Sequence, residues 1–175
     1  MNAQQMTRWG IGPQFTIISF MYAAIVFAVQ NIVFSEFRFV ICSRLINNIT
    51  GIVLILIGMI TFLIPAFTID KYFYEGKLCK QGVYAYLRHP IYAAWISFIV
   101  PGIVILRGSL LGITIPIFMY FIFRALIPAE EKYLMDKFGD EYREYKAKVW
   151  AVFPKLWGET KLQVGDVKII EKRPS

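Results

Sequence analysis

Ile91–Ile127 reads IYAAWISFIVPGIVILRGSLLGITIPIFMYFIFRALI, and its only charged residues are Arg107 and Arg124. Crossing about 30 Å of hydrocarbon takes roughly 20 helical residues at 1.5 Å rise each, so this stretch is long enough to cross twice. Arg107-Gly108 near its middle predicts a tight helical hairpin with arms Ile91–Leu106 and Ser109–Ile127. Pro101-Gly102 predicts a kink in the first, shorter arm. Two earlier apolar runs complete the pattern. One spans Pro13–Phe34, with Gln14, Gln30 and Asn31 only near its ends; the other spans Ile49–Phe67, interrupted by Gly51, Gly58 and Pro65. The predicted fold is an all-α integral membrane protein with about four transmembrane helices, including a C-terminal hairpin, plus cytoplasmic amphipathic helices. A fifth span requires the kink at Pro101 or the C-terminal amphipathic segment to lie deeper.

Composition agrees with the pattern. Hydrophobic residues make up 57% of the 175, aromatics 17% and charged residues 18%, and mean hydropathy is +0.54. A small water-soluble domain needs about a quarter of its residues charged, and a disordered chain lacks this much apolar surface. Two cysteines and one histidine are too few for a zinc framework or a disulfide scaffold. The opening apolar run is too long for a removable signal, and no small-x-small site follows it. No nucleic-acid partner is indicated.

The net charge of +7 is unevenly placed. Cytoplasmic segments retain Lys and Arg. The N-terminus carries Arg8, the second loop Lys71, Lys77, Lys80 and Arg88, and the tail from Pro128 onward ten basic residues; the outer loops carry only Arg38, Arg44 and Arg107. Both termini and the second loop are therefore expected in the cytoplasm. Cys42 and Cys79 then fall on opposite sides of the membrane and are expected as free thiols. The chain is read as an N-terminal helix pair (1–70), a part carrying the chemistry (71–157) and a tail (158–175).

Beyond the fourth span, Leu134, Phe138, Tyr142, Tyr145 and Val149 recur at the spacing of one helical face. Gly139-Asp140 fits a junction between two short helices. Such a face suits either a basic amphipathic segment lying on anionic lipid or a helix packed over a site.

Polar residues at membrane depth or edge are costly unless paired or functional, and two clusters stand out. Gly82–Tyr92 (GVYAYLRHPIY) enters the third span; Arg124 and then Pro128-Ala129-Glu130-Glu131 leave the fourth. A hairpin returns both to one interface. Pro90 suits the first helical position, His89 then sits near the N-cap, and the positive helix end together with Arg88 predicts a neutral imidazole and a place for a carboxylate ligand. An aromatic belt with Arg88 facing lipid phosphates accounts for the same residues. Arg124 and Glu131, seven positions apart, are nearly in line, which allows a pair between them; Glu130-Glu131 suit a bound cation or, taken without the first cluster, more readily solvated carboxylates ending the span. Gly10-Ile11-Gly12 is an incomplete dinucleotide fingerprint with no strand before it.

Taken together, GVYAYLRHPIY, a hairpin, and EEKYLMDKFGDEYREYK (Glu130–Lys146) resemble the isoprenylcysteine carboxyl methyltransferase and phospholipid methyltransferase superfamily. The resemblance covers about Glu75 to Pro154. It implies an S-adenosylmethionine-dependent enzyme, releasing S-adenosylhomocysteine, without a Rossmann motif. It places the cofactor along Gly76, Lys77, Leu78 and Cys79, at Tyr84, on His89, Pro90, Ile91 and Tyr92, and at Glu130. Arg124, Glu131 and Arg88 are the implied catalytic residues, acting on a lipophilic substrate that enters sideways from the bilayer. Carboxyl methyltransferases of this family carry an Arg where this chain has Leu126, and often a basic residue where it reads Trp150-Ala151-Val152-Phe153-Pro154; Arg124 is the nearby substitute. The implied acceptor is an isoprenylcysteine carboxylate. Phospholipid amine methylation is the alternative, and a sterol-reductase-like NADPH enzyme the remoter one. A prokaryotic source implies the plasma membrane, a eukaryotic one the endoplasmic reticulum. No metal is expected, and neither oligomeric state nor source is legible.

Overall fold

The computed structural model describes residues 10–34, 38–41 and 43–153. Four helices are long and apolar enough to cross a membrane: α1 (Gly12–Ile32), α2 (Arg44–Tyr74), α3 (Pro90–Arg107) and α4 (Thr114–Lys148). The described residues contain two isolated β-bridges and no strand. The chain is an all-α integral membrane protein of four spans, and the expected hairpin is α3–α4. Cys42, the N-terminal residues with Arg8, and the tail beyond Phe153 lie outside the described residues, so the expected placement of the termini and of Cys42 lies there too. Cys79 is a free thiol.

Local chemistry accounts for the boundaries. Pro13 sits in the first turn of α1, where its missing N–H costs nothing. Ser43 caps α2, its Oγ accepting from the Ile46 N–H at 3.2 Å. At 31 residues, α2 is about 46 Å long, so it overruns the bilayer at both ends and extends well past the expected Ile49–Phe67. Residues 68–74 are polar enough to be missed by hydropathy, yet they continue the helix and wall the site. Gly108, at φ 58, turns α3 into α4; the left-handed conformation suits Gly alone, and any Cβ there would lie 2.6 Å from the Phe39 carbonyl oxygen. A π-turn at Trp95–Ile99 interrupts α3, so its irregularity lies just before Pro101.

α2 packs closely on α3. A Cβ at Gly51 would lie 2.8 Å from the Gly102 carbonyl oxygen, and small residues that admit backbone this near are what hold helices together in lipid. The other main contact, α1 on α4, buries Phe15, Val26, Ile115, Met119 and Phe123. The outer faces of α1 and α2 expose Ile17, Met21, Ile52, Leu56 and Ile60, the surface a bilayer covers.

Candidate active site

The two polar clusters meet at one end of the bundle. The segment 86–89 is clamped by the chain beyond α4: the Arg88 N–H donates to the Trp150 carbonyl at 2.7 Å and the His89 N–H to the Ala151 carbonyl at 2.9 Å. The contacts are backbone to backbone, so no side chain in Trp150–Phe153 announces them. The amphipathic end of α4 packs over the site rather than lying on lipid. Tyr142 is fully buried, and Tyr145 and Val149 join it against Leu78, Leu134 and Phe138. The Tyr145 hydroxyl donates to the Tyr84 carbonyl at 2.6 Å. The helix is broken at Gly139 (φ 54, ψ −127), where the sequence marks a junction.

Glu131 collects cations. Arg88 Nη2 reaches its Oε1 at 2.7 Å and Lys146 Nζ its Oε2 at 2.8 Å, while Arg88 Nη1 donates to the Lys146 carbonyl at 2.7 Å. Glu130 accepts from the Tyr92 hydroxyl at 3.1 Å and from the Ile11 N–H at 3.2 Å. His89 lies between them, with Nδ1 3.3 Å from Glu130 Oε1 and Nε2 3.7 Å from Glu131 Oε1. Burial works against an imidazolium there, but the two adjacent carboxylates outweigh it and hold the His89 pKa above its ordinary value. The sequence predicts a shift in the other direction; the positive helix end and Arg88 bear on the ring less than the two nearby carboxylates. Burial pushes the Tyr84 phenol and the Cys79 thiol up, so both remain protonated.

These groups form one end of a cavity of about 760 Å³. Arg88, His89, Tyr92, Glu130, Tyr142 and Tyr145 line its polar end; Phe62, Leu63, Ala66 and Phe67 of α2, with Ile17 and Trp95, make its apolar flank. Among the described residues, Arg88 Nε and the Tyr142 hydroxyl are buried without a hydrogen-bond partner.

Of the sequence-predicted residues, Leu78, Cys79, Tyr84, Arg88, His89, Pro90, Ile91, Tyr92 and Glu130 line this cavity. Glu131 stands directly behind it through Arg88. Gly76, Lys77 and Arg124 are exposed and line neither cavity described here. The expected Arg124–Glu131 pair does not form. The two are about 10 Å apart along α4, and it is Arg88 and Lys146 that fold over Glu131. The sequence does not single out Pro13, Phe15, Thr16 and Ile17, Asp70 and Phe73, Tyr133 or the α2 flank, all of which line the cavity. Gly10-Ile11 is no dinucleotide loop, yet it belongs to the site: a Cβ at Gly10, which has φ 53, would run into the Glu130 carboxylate, so glycine lets this backbone reach it.

The model of the "Isoprenylcysteine carboxyl methyltransferase (ICMT) family" matches residues 45–136, slightly more than half of the chain. A protein-S-isoprenylcysteine O-methyltransferase of Dictyostelium discoideum is 36% identical over 80 residues, covering 46% of this chain and 34% of its own length. A probable one from Oryza sativa subsp. indica is 32% identical over 113 residues, 59% of each chain. The Homo sapiens protein-S-isoprenylcysteine O-methyltransferase is 27% identical over 141 residues, 75% of this chain and 48% of its own. The chain thus spans between a third and three fifths of these relatives' lengths. No solved structure matches it.

Proposed function

The chain belongs to the isoprenylcysteine carboxyl methyltransferase family, and from that premise we propose that it methylates the carboxylate of a C-terminal isoprenylcysteine, using S-adenosylmethionine as donor. Relatives named for this reaction support the reading. The observation that carries it is the shape of the cavity: a polar end of fixed charges continuous with an apolar flank on the lipid-facing helices. A zwitterionic nucleoside and a prenyl tail need those two surfaces side by side.

The residues present fit such a donor. Tyr84 and Tyr92 offer aromatic faces to adenine, Glu130 an acceptor, and the buried Tyr142 hydroxyl a donor without a partner among the described residues. When bound, S-adenosylmethionine supplies a sulfonium-activated methyl group, which a carboxylate accepts without losing a proton. The protein's task is therefore to bring an anion, desolvated, into line. Arg88 does this in the proposal, in place of Arg124: Glu131 and the Lys146 carbonyl fix its guanidinium plane while Nε stays free. Glu131, already engaged by two cations, makes a poor general base for an ammonium substrate, which disfavours the phospholipid amine alternative. The basic asymmetry of the sequence supports placing this end of the bundle at the cytoplasmic face.

The test is methyl transfer from radiolabelled S-adenosylmethionine. A farnesylated cysteine with a free carboxylate should gain a base-labile methyl ester, Arg88→Gln should lose that activity, and Arg124→Gln should keep it. Label appearing in phosphatidylethanolamine and not in the ester would establish the amine reading.

A further inference from the structure

At the other end of the bundle a second, polar cavity of about 210 Å³ is lined by Gln30, Asn31, Arg38, Arg44, Leu106, Arg107 and Ser109. Its three arginines come from three places in the chain: the segment after α1, the first residue of α2 and the last residue of α3. They are also the only three basic residues that charge counting assigns to the outer loops. Among the described residues no carboxylate pairs with any of them, whereas Arg88, Lys146 and Lys80 at the opposite end all have one.

The cavity is held open by its own architecture. Gln30 Oε1, buried, accepts from Ser109 Oγ at 3.2 Å and from the Leu111 N–H at 3.0 Å, and the Phe39 N–H donates to the Gly108 carbonyl at 2.9 Å, tying the Arg38 segment to the turn. Arg107 lies over the Phe27 ring at 4.9 Å. Three arginines lining one small cavity favour an anion within it, and the planar guanidinium matches phosphate oxygens in pairs. Arg44 also opens α2, whose N-terminal dipole end adds positive potential. Val33, Ile41, Leu45 and Leu110, all exposed and near lining residues in sequence, offer surface suited to acyl chains.

We propose that the Arg38–Arg44–Arg107 cavity binds the phosphate of an anionic membrane lipid, on the face opposite the active site. The site does not depend on the methyltransferase reading. Native mass spectrometry of the purified protein from neutral detergent tests it with three probes: phosphatidylglycerol, diacylglycerol of the same chains, and glycerol phosphate. Phosphatidylglycerol should be retained and diacylglycerol not, with glycerol phosphate competing only at far higher concentration. The R38Q/R44Q/R107Q protein should hold phosphatidylglycerol at least about tenfold more weakly, the loss expected for charge-assisted hydrogen bonds. Should the triple variant fail to fold, R44Q alone should weaken retention about threefold, with R44K restoring part of it. Undiminished retention by these variants, or equal retention of diacylglycerol, overturns the proposal. Glycerol phosphate binding as tightly as the lipid overturns the lipid assignment in favour of a soluble anion.

Discussion

The two ends of this bundle treat positive charge in opposite ways. At the candidate-site end Arg88 and Lys146 converge on Glu131, with His89 beside it between two glutamates. At the other end Arg38, Arg44 and Arg107 surround a polar cavity with no carboxylate partner among the described residues. Both arrangements concentrate cations at a membrane edge, but among the described residues only the first pairs them with a carboxylate that fixes their geometry. A fixed guanidinium suits orienting a reacting carboxylate; an unneutralised cluster suits holding an anion that need not be oriented for chemistry.

The contrast predicts different costs of mutation. Glu131→Ala strands Arg88 and Lys146 together, and since the Arg88 and Glu131 side chains are only 11% and 12% exposed, folding stability should fall by about 3–5 kcal/mol, the usual cost of breaking a buried pair. Arg44→Gln in neutral detergent should shift stability by no more than about 0.5 kcal/mol. Denaturation curves in the same detergent read both, and equal costs would erase the distinction.

Gly108→Ala should cost about 1–2 kcal/mol from backbone strain, and more where the new Cβ presses on the Phe39 carbonyl. It tests whether the hairpin turn supports the cavity at that end; the active site, a bundle length away, should keep its ligand affinity. Tyr145→Phe leaves the buried Tyr84 carbonyl without its donor and should cost about 1–3 kcal/mol, with loss of affinity at the active-site end only.

His89 gives the pH signature. Its pKa is raised in the folded protein, so its contribution to stability is complete below the unfolded value of about 6.5 and is lost as pH rises through the folded value. The melting temperature should therefore decline across that window, and His89→Gln should flatten the decline. A wild-type curve as flat as the variant's would mean that the two glutamates do not hold a proton on the ring.

How much of this was legible in the sequence follows from the physics of each signal. The hairpin was readable because Arg107-Gly108 interrupts an otherwise unbroken apolar run, and the His89–Glu130 meeting because a hairpin must return to the side it left. The face Leu134–Val149 was visible as a period, but periodicity cannot tell packing on protein from packing on lipid. Helical phase alone allows Arg124 to pair with Glu131, while the partners Glu131 has are Arg88, from another segment, and Lys146, from beyond the break at Gly139. Ile11, Trp150 and Ala151 act through backbone groups, which every residue has, and so left no mark. The Arg38–Arg44–Arg107 cluster was counted as loop charge, since residues 6 and 63 positions apart show no pattern until the chain folds.

The central claim is that the cavity at the active-site end receives a zwitterionic nucleoside and not a dinucleotide. Isothermal titration of the purified protein with S-adenosylhomocysteine and, separately, with NADPH addresses it directly. The account predicts saturable heat with S-adenosylhomocysteine, weakened roughly tenfold or more in Glu130→Ala by loss of a charge-assisted hydrogen bond, and none with NADPH. Binding of NADPH, or no heat from S-adenosylhomocysteine with the protein folded, would contradict it.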